Sequence, residues 1–286
     1  MSSSAIKLVE CPRDAMQGWA HQIPTQAKID YLQQLLKVGF HTLDCGSFVS
    51  AKAIPQMADT RDVISRLNIS GSDTKLLTIV ANERGAADAV AFDNITYLGF
   101  PFSISETFQQ RNTNSSIDES LYRVEAIQKL CTKHKKELVV YISMGFGNPY
   151  GDPYNEEIVY RWVERLIQFD IKIISLADTV GLASAQQVFA ITKNLVQALP
   201  QTEIGVHLHS TAINWKEKLD AAWQAGCKRF DGALKGIGGC PMADDDLVGN
   251  MDTELMIPYF QGKGALKNID QDALNKSLEM ASRIFI

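Results

Sequence analysis

The feature that most constrains this chain is a repeated switch of hydrophobic period. Short β-like apolar runs occur at Ile6–Glu10, Thr42–Asp44, Leu76–Val80, Ile95–Leu98, Leu138–Ser143, Ile173–Leu176, Ile204–His207 and Phe230–Ala233. Between them lie longer stretches of helical period, among them Gln26–Val38, Arg61–Leu67, Ile117–His134, Glu156–Phe169, Ala185–Leu199 and Trp215–Ala225. Tyr122, Ile127 and Leu130 have the spacing of one buried helix face, as do Val188, Ile191 and Leu195. Strands separated by helices are joined by crossovers, so they form a parallel sheet. Eight such units in 286 residues predict an α/β fold, a single-domain (β/α)8 TIM barrel. The barrel is expected over about residues 5–262, with a short helical extension to residue 286. An open doubly wound sheet is the rival, but no Gly-x-Gly-x-x-Gly follows the first strand.

A barrel of this kind works at the C-terminal ends of its strands. Unusual polar residues fall there repeatedly. Cys11-Pro12-Arg13-Asp14 follows the first strand, Asp44-Cys45-Gly46 ends the second, and Asp178-Thr179-Val180-Gly181 follows the sixth. The seventh ends in His207-Leu208-His209, and the eighth is followed by Gly236-Ile237-Gly238-Gly239-Cys240-Pro241, with Gly249-Asn250 beyond. Histidines two apart on an extended strand share one face and can reach one cation. Each residue also has a plain structural reading. Asp14 can cap a turn, Arg13 can make a surface ion pair, Asp178 can hold a loop, Asn250 can serve a turn, and Cys240 can be inert.

Composition removes several classes of function. A net charge of −5 argues against a nucleic-acid partner. No apolar stretch approaches the ~20 residues that span a bilayer, so no membrane partner is expected. The N-terminal residues lack a charged segment followed by a long apolar one, so no secretory signal is expected. Five cysteines, none in a Cys-x-x-Cys pair, point away from a disulfide framework or a structural zinc site. The expected location is the reducing cytoplasm.

The order and wording of the polar segments resemble the hydroxymethylglutaryl-CoA lyases, within the wider group of metal-dependent barrel lyases and Claisen-type synthases. The resemblance is carried by Leu8-Val9-Glu10-Cys11-Pro12-Arg13-Asp14-Ala15-Met16-Gln17, Ser47-Phe48-Val49-Ser50-Ala51-Lys52 and Ile54-Pro55-Gln56-Met57. It continues through Ser175-Leu176-Ala177-Asp178-Thr179-Val180-Gly181, Val206-His207-Leu208-His209 and Gly236-Ile237-Gly238-Gly239-Cys240-Pro241. It implies that Asp14, His207, His209 and Asn250 bind one divalent cation, Mg²⁺ or Mn²⁺, since carboxylate, imidazole and amide oxygen suit a hard ion. It also implies an acyl-CoA substrate, bound partly through Arg13 and Gln17, and a homodimer or higher homo-oligomer.

The reaction implied is retro-Claisen cleavage of 3-hydroxy-3-methylglutaryl-CoA to acetoacetate and acetyl-CoA. Arg13 would steady the enolate, and Asp44 or His207 would take the hydroxyl proton. Asp178 would orient His207, and Cys240, on a closing glycine-rich loop, would help to protonate the carbanion. The chain departs from the family at Asp44, where a glutamate is usual, and at Ser210-Thr211-Ala212-Ile213 after the second histidine. The family's arginine near the end of the fifth strand is replaced by Val139 or Val140. Cleavage of another 3-hydroxyacyl-CoA, condensation of acetyl-CoA with a 2-oxo acid, and a non-catalytic metal-binding barrel are the alternative readings.

Overall fold

The structure is a computed structural model that describes residues 5–239 and 248–286. Eight parallel strands close on themselves in chain order: β1 (Lys7–Glu10), β2 (Thr42–Ser47), β3 (Lys75–Ile79), β4 (Ile95–Ser103), β5 (Glu137–Ser143), β6 (Ile173–Ala177), β7 (Glu203–His207) and β8 (Arg229–Gly232). Closure is made where Lys7, Leu8, Val9 and Glu10 pair with Arg229, Phe230, Asp231 and Gly232. This is the (β/α)8 barrel expected from the alternating periods.

The helices are α1 (Pro12–Gln17), α2 (Thr25–Leu35), α3 (Thr60–Arg66), α4 (Glu83–Val90), α5 (Glu106–Thr113), α6 (Ile117–Lys133), α7 (Glu156–Ile167), α8 (Ala185–Ala198), α9 (Trp215–Gln224), α10 (Thr253–Gly262) and α11 (Gln271–Ile284). Local chemistry starts several of them. Ser116 with Glu119, and Ser184 with Gln187, form reciprocal capping boxes that satisfy orphan N–H groups at the starts of α6 and α8. The buried face of α8 carries Val188, Ile191 and Leu195, as its spacing predicts.

On α6 the face is one residue off the expected one. Leu121, Val124, Ile127 and Cys131 are buried, whereas Tyr122 is 72% exposed. Leu121 and Val124 fit the 3.6-residue period through Ile127 better than the aromatic ring does, so packing overrode bulk. The fourth strand is longer than its apolar run and continues through Gly99 and Pro101 to Ser103. Gly99 belongs inside the barrel, because a Cβ there would lie 2.6 Å from Ile79 Cδ1 and 3.1 Å from Tyr141 Cε2.

Strand alternation divides the apolar residues into two clusters. Outward residues pack under the helices, and inward residues such as Leu77, Ile79, Tyr97, Val139, Tyr141 and Ile173 fill the barrel. The C-terminal helix α11 lies against α2 and brings Phe285 edge-on to Trp19 and Tyr31. Among the described residues, no helix is long and apolar enough to cross a membrane.

Candidate active site

β1 ends at Glu10, and Pro12 occupies the first position of α1, where its missing N–H costs nothing. One turn of helix then turns Arg13 and Asp14 back over the barrel mouth, both buried. His207 is the last residue of β7, and buried His209 follows two residues on. Ligand-capable atoms of Asp14, His207 and His209 all lie within 4.8 Å of one another, and the two rings are 5.4 Å apart. The i, i+2 spacing therefore puts both imidazoles on one object.

Asn250 comes to the same place through a bridge with His209. Its Nδ2 donates to Asp14 Oδ2 at 2.8 Å and to the Ile237 carbonyl at 3.0 Å. Its Oδ1 is buried and has no hydrogen-bond partner among the described residues. Gly238 makes this approach possible, since a Cβ there would fall 2.3 Å from Asn250 Nδ2. A buried, unpaired amide oxygen beside a carboxylate and two imidazoles is a donor set that fits a hard divalent cation.

The electrostatics agree with that fit. Burial lowers the His209 pKa to about 3, helped by the nearby His207, so His209 is neutral and its ring can ligate. Burial also opposes a charge on His207, but the hydrogen bond and charge of Asp231, with Asp14, raise it above the ordinary value. Burial opposes the Asp14 carboxylate too, yet Arg13, His207 and the Asn250 amide together hold it below its usual range.

Arg13 is clamped beside this cluster. Its Nε donates to both Asp44 oxygens at 3.2 and 3.1 Å, Nη2 donates to Asp44 Oδ2 at 2.5 Å, and Nη1 donates to Asp14 Oδ1 at 3.0 Å. Burial pushes Asp44 up to about 6 against the pull of Arg13, which leaves it ionised at neutral pH. Val139 and Val140, at the place of the family's arginine, are both buried, so no second cation comes from there.

Asp14 is not a helix cap, because each of its oxygens accepts from a side chain and the pair faces the histidines. Gln17 lines the same cavity, but its amide is engaged with Asp14 Oδ1 at 2.7 Å, so it steadies that carboxylate as well as facing the cavity. Asp178 differs more from expectation. Its side chain does not orient His207; it accepts from Lys218 Nζ at 2.7 Å and from the Ala183 N–H at 2.9 Å. Only its backbone N–H meets His207, at the carbonyl. The reason is local: the turn after β6 folds the carboxylate back on its own loop, where buried Lys218 needs a counter-charge.

The residue that does meet His207 is Asp231, whose Oδ2 lies 3.3 Å from Nδ1. It was missed because Phe230–Ala233 reads as one apolar strand; a lone carboxylate inside it was the available signal. Lys218 was missed as well, its spacing on α9 being that of an ordinary helix lysine. Cys240 lies outside the described residues.

The cavity at this end is lined by Arg13, Asp14, Asp44 and the two histidines. Val49, Ile54, Ile79, Pro101 and Phe108 add apolar lining to the same cavity. A cavity lined by both kinds of group can hold a ligand with polar and apolar parts.

A family profile described as HMGL-like matches residues 5–280. The chain is 32% identical over 263 residues to the hydroxymethylglutaryl-CoA lyase of Bacillus subtilis, covering 92% of this chain and 87% of that one. It is 30% identical over 281 residues to the (R)-citramalyl-CoA lyase of Chloroflexus aurantiacus, covering 94% and 88%. Against the longer mitochondrial hydroxymethylglutaryl-CoA lyase of Arabidopsis thaliana, 31% identical over 267 residues and 93% of this chain, it spans 56% of the relative. Among solved structures, an HMG-CoA lyase from Acinetobacter baumannii, in complex with coenzyme A and 3-methylmalate, superposes with a TM-score of 0.91 at 30% identity, covering 100% of this chain and 92% of that one. The chain belongs to the HMGL-like family of carbon–carbon lyases.

Proposed function

We propose that the protein cleaves 3-hydroxy-3-methylglutaryl-CoA to acetoacetate and acetyl-CoA, using Mg²⁺ or Mn²⁺ held by Asp14, His207, His209 and Asn250. The observation that carries this reading is the convergence of those four residues beside the Arg13–Asp44 pair at the barrel mouth. When bound, the cation supplies Lewis acidity that lowers the pKa of the substrate's 3-hydroxyl.

The chain's own groups do the rest. Asp44, at about 6, is the base placed to accept the hydroxyl proton, since His207 has one ring nitrogen beside Asp231 and the other beside the ligand cluster. Arg13, already fixed by Asp44, meets the negative charge that develops on the leaving enolate without having to reorganise. Ile54, Ile79 and Phe108 give the cavity apolar lining that disfavours water beside the forming carbanion. Cys240, on its glycine-rich loop, is assigned the proton return to that carbanion. The protein is taken to be cytoplasmic and homo-oligomeric, and buried thiols at Cys11, Cys45, Cys131 and Cys227 suit a reducing compartment.

The test is release of acetoacetate from 3-hydroxy-3-methylglutaryl-CoA with Mg²⁺ or Mn²⁺. No release at high enzyme concentration overturns the reading. The identity with (R)-citramalyl-CoA lyase favours one second reading, cleavage of a related 3-hydroxyacyl-CoA. Release of a 2-oxo acid from (R)-citramalyl-CoA, without acetoacetate from the first substrate, would select it.

A further inference from the structure

One buried carboxylate beside the site belongs neither to the four-residue ligand cluster nor to the Arg13 clamp. Asp231 is 0% exposed at its side chain. It stands directly opposite His207 in the parallel register of β7 and β8, so the backbone pairing itself brings the two side chains to the same inward face. Its Oδ2 is 3.3 Å from His207 Nδ1, and its Oδ1 has no protein partner among the described residues.

Two residues earlier on the same face stands Arg229, also 0% exposed. Arg229 uses only Nη1 on a carboxylate, Glu203 at 3.5 Å, and its guanidinium lies 5.4 Å from the centre of the Tyr97 ring. Nε and Nη2 have no protein partner among the described residues. Asp231 is the strongest electrostatic support of the Arg229 charge. Gly205, opposite Arg229 in the register, makes room for it, because a Cβ there would lie 3.1 Å from three Arg229 carbons. The barrel interior thus holds a column of Arg229, Asp231 and His207 rising toward the mouth.

An uncompensated carboxylate in a barrel core is costly, and an apolar side chain would pack there without that cost. An imidazole, however, can ligate through one nitrogen only if its proton is kept on the other, and a carboxylate on the far nitrogen does this. We infer that Asp231 is a positioning residue for the metal centre: it accepts the Nδ1–H of His207, so that Nε2 is presented to the cluster with Asp14 and His209, while Arg229 supplies the counter-charge beneath. This rests on the reading of Asp14, His207, His209 and Asn250 as ligands of a divalent cation.

The test is a Mn²⁺ titration of the full chain, read by electron paramagnetic resonance, in wild type and Asp231→Asn. The expected result is about 10–100-fold weaker binding in the variant. A dissociation constant within about twofold of wild type, in a variant with a native circular dichroism spectrum, overturns the inference and makes Asp231 a structural partner of Arg229 only. Wild type that binds no Mn²⁺ defeats the ligand assignment instead, so the two failures are distinct. Where the variant does not fold, ¹⁵N spectra of the histidine rings in cation-free wild type at pH 8 decide. His207 as the Nδ1–H tautomer supports the inference, and the Nε2–H tautomer overturns it.

Discussion

Asn250 Nδ2 lies 2.8 Å from Asp14 Oδ2, joining residues 236 apart in the chain. The bond orients both groups, and the buried amide oxygen of Asn250 has no hydrogen-bond partner among the described residues. Cation binding should therefore depend on this pair as a unit. Asn250→Ala is expected to weaken Mn²⁺ binding at least about 10-fold by calorimetry, and His209→Ala to abolish it together with activity. Unchanged affinity in both variants would refute the ligand set.

Arg13 is held by Asp44 through two nitrogens, so its geometry is set before substrate arrives. Arg13→Met is expected to lower kcat by about 10²–10³, while Mn²⁺ affinity is retained. Arg13→Lys keeps the charge but cannot reproduce the forked contact, and should recover only part of the rate. Steady-state kinetics beside a Mn²⁺ titration separate the two effects.

Lys218 and Asp178 are each 1% exposed at the side chain, and the lysine also donates to the His209 carbonyl at 2.8 Å. Lys218→Met leaves a buried carboxylate unpaired and should cost about 3–5 kcal/mol in urea unfolding. Adding Asp178→Asn should return part of that loss. A cost below about 1 kcal/mol, the range of exposed pairs, would contradict the buried clamp.

Glu10 is buried under the eighth strand's loop, accepting from the Leu234 N–H at 2.8 Å and from Thr253 Oγ1 at 2.6 Å. Burial pushes its pKa up to about 8 from an ordinary 4.5. Between those values the folded chain keeps a proton that the unfolded chain has released, so this group's contribution to stability falls as pH rises through the window. Glu10→Gln removes that dependence. Urea midpoints should show the variant gaining on wild type from pH 5 to pH 8, and a constant difference would argue that Glu10 is ionised in the fold.

Much of this was legible before any tertiary structure. All eight apolar runs became strands, because a run of β-branched and aliphatic residues between turn signals is a local property. The strand-end residues Asp14, Asp44, His207 and His209 converged because barrel closure forces the C-terminal ends together. Tyr122 was misplaced because an amphipathic ring tolerates exposure, and only packing against neighbours chose Leu121 over it. Asp178 was given to His207 because both lie at adjacent strand ends, and their side chains diverge from there.

The chain's own pattern of periods was enough to determine the barrel and the end of it where polar residues gather, while the expected cation ligands came from the resemblance of its motifs to a family. What only the tertiary structure decided is which of these residues touch. Asp231 faces His207 because β7 and β8 pair in one register, and a shift of one residue would have turned it out of the barrel. Lys218 reaches Asp178 because α9 packs over the sixth-strand loop, a contact 40 residues long in sequence. Hydrophobic period is written locally along the chain, whereas the partners of a buried charge are set by register and packing between distant segments.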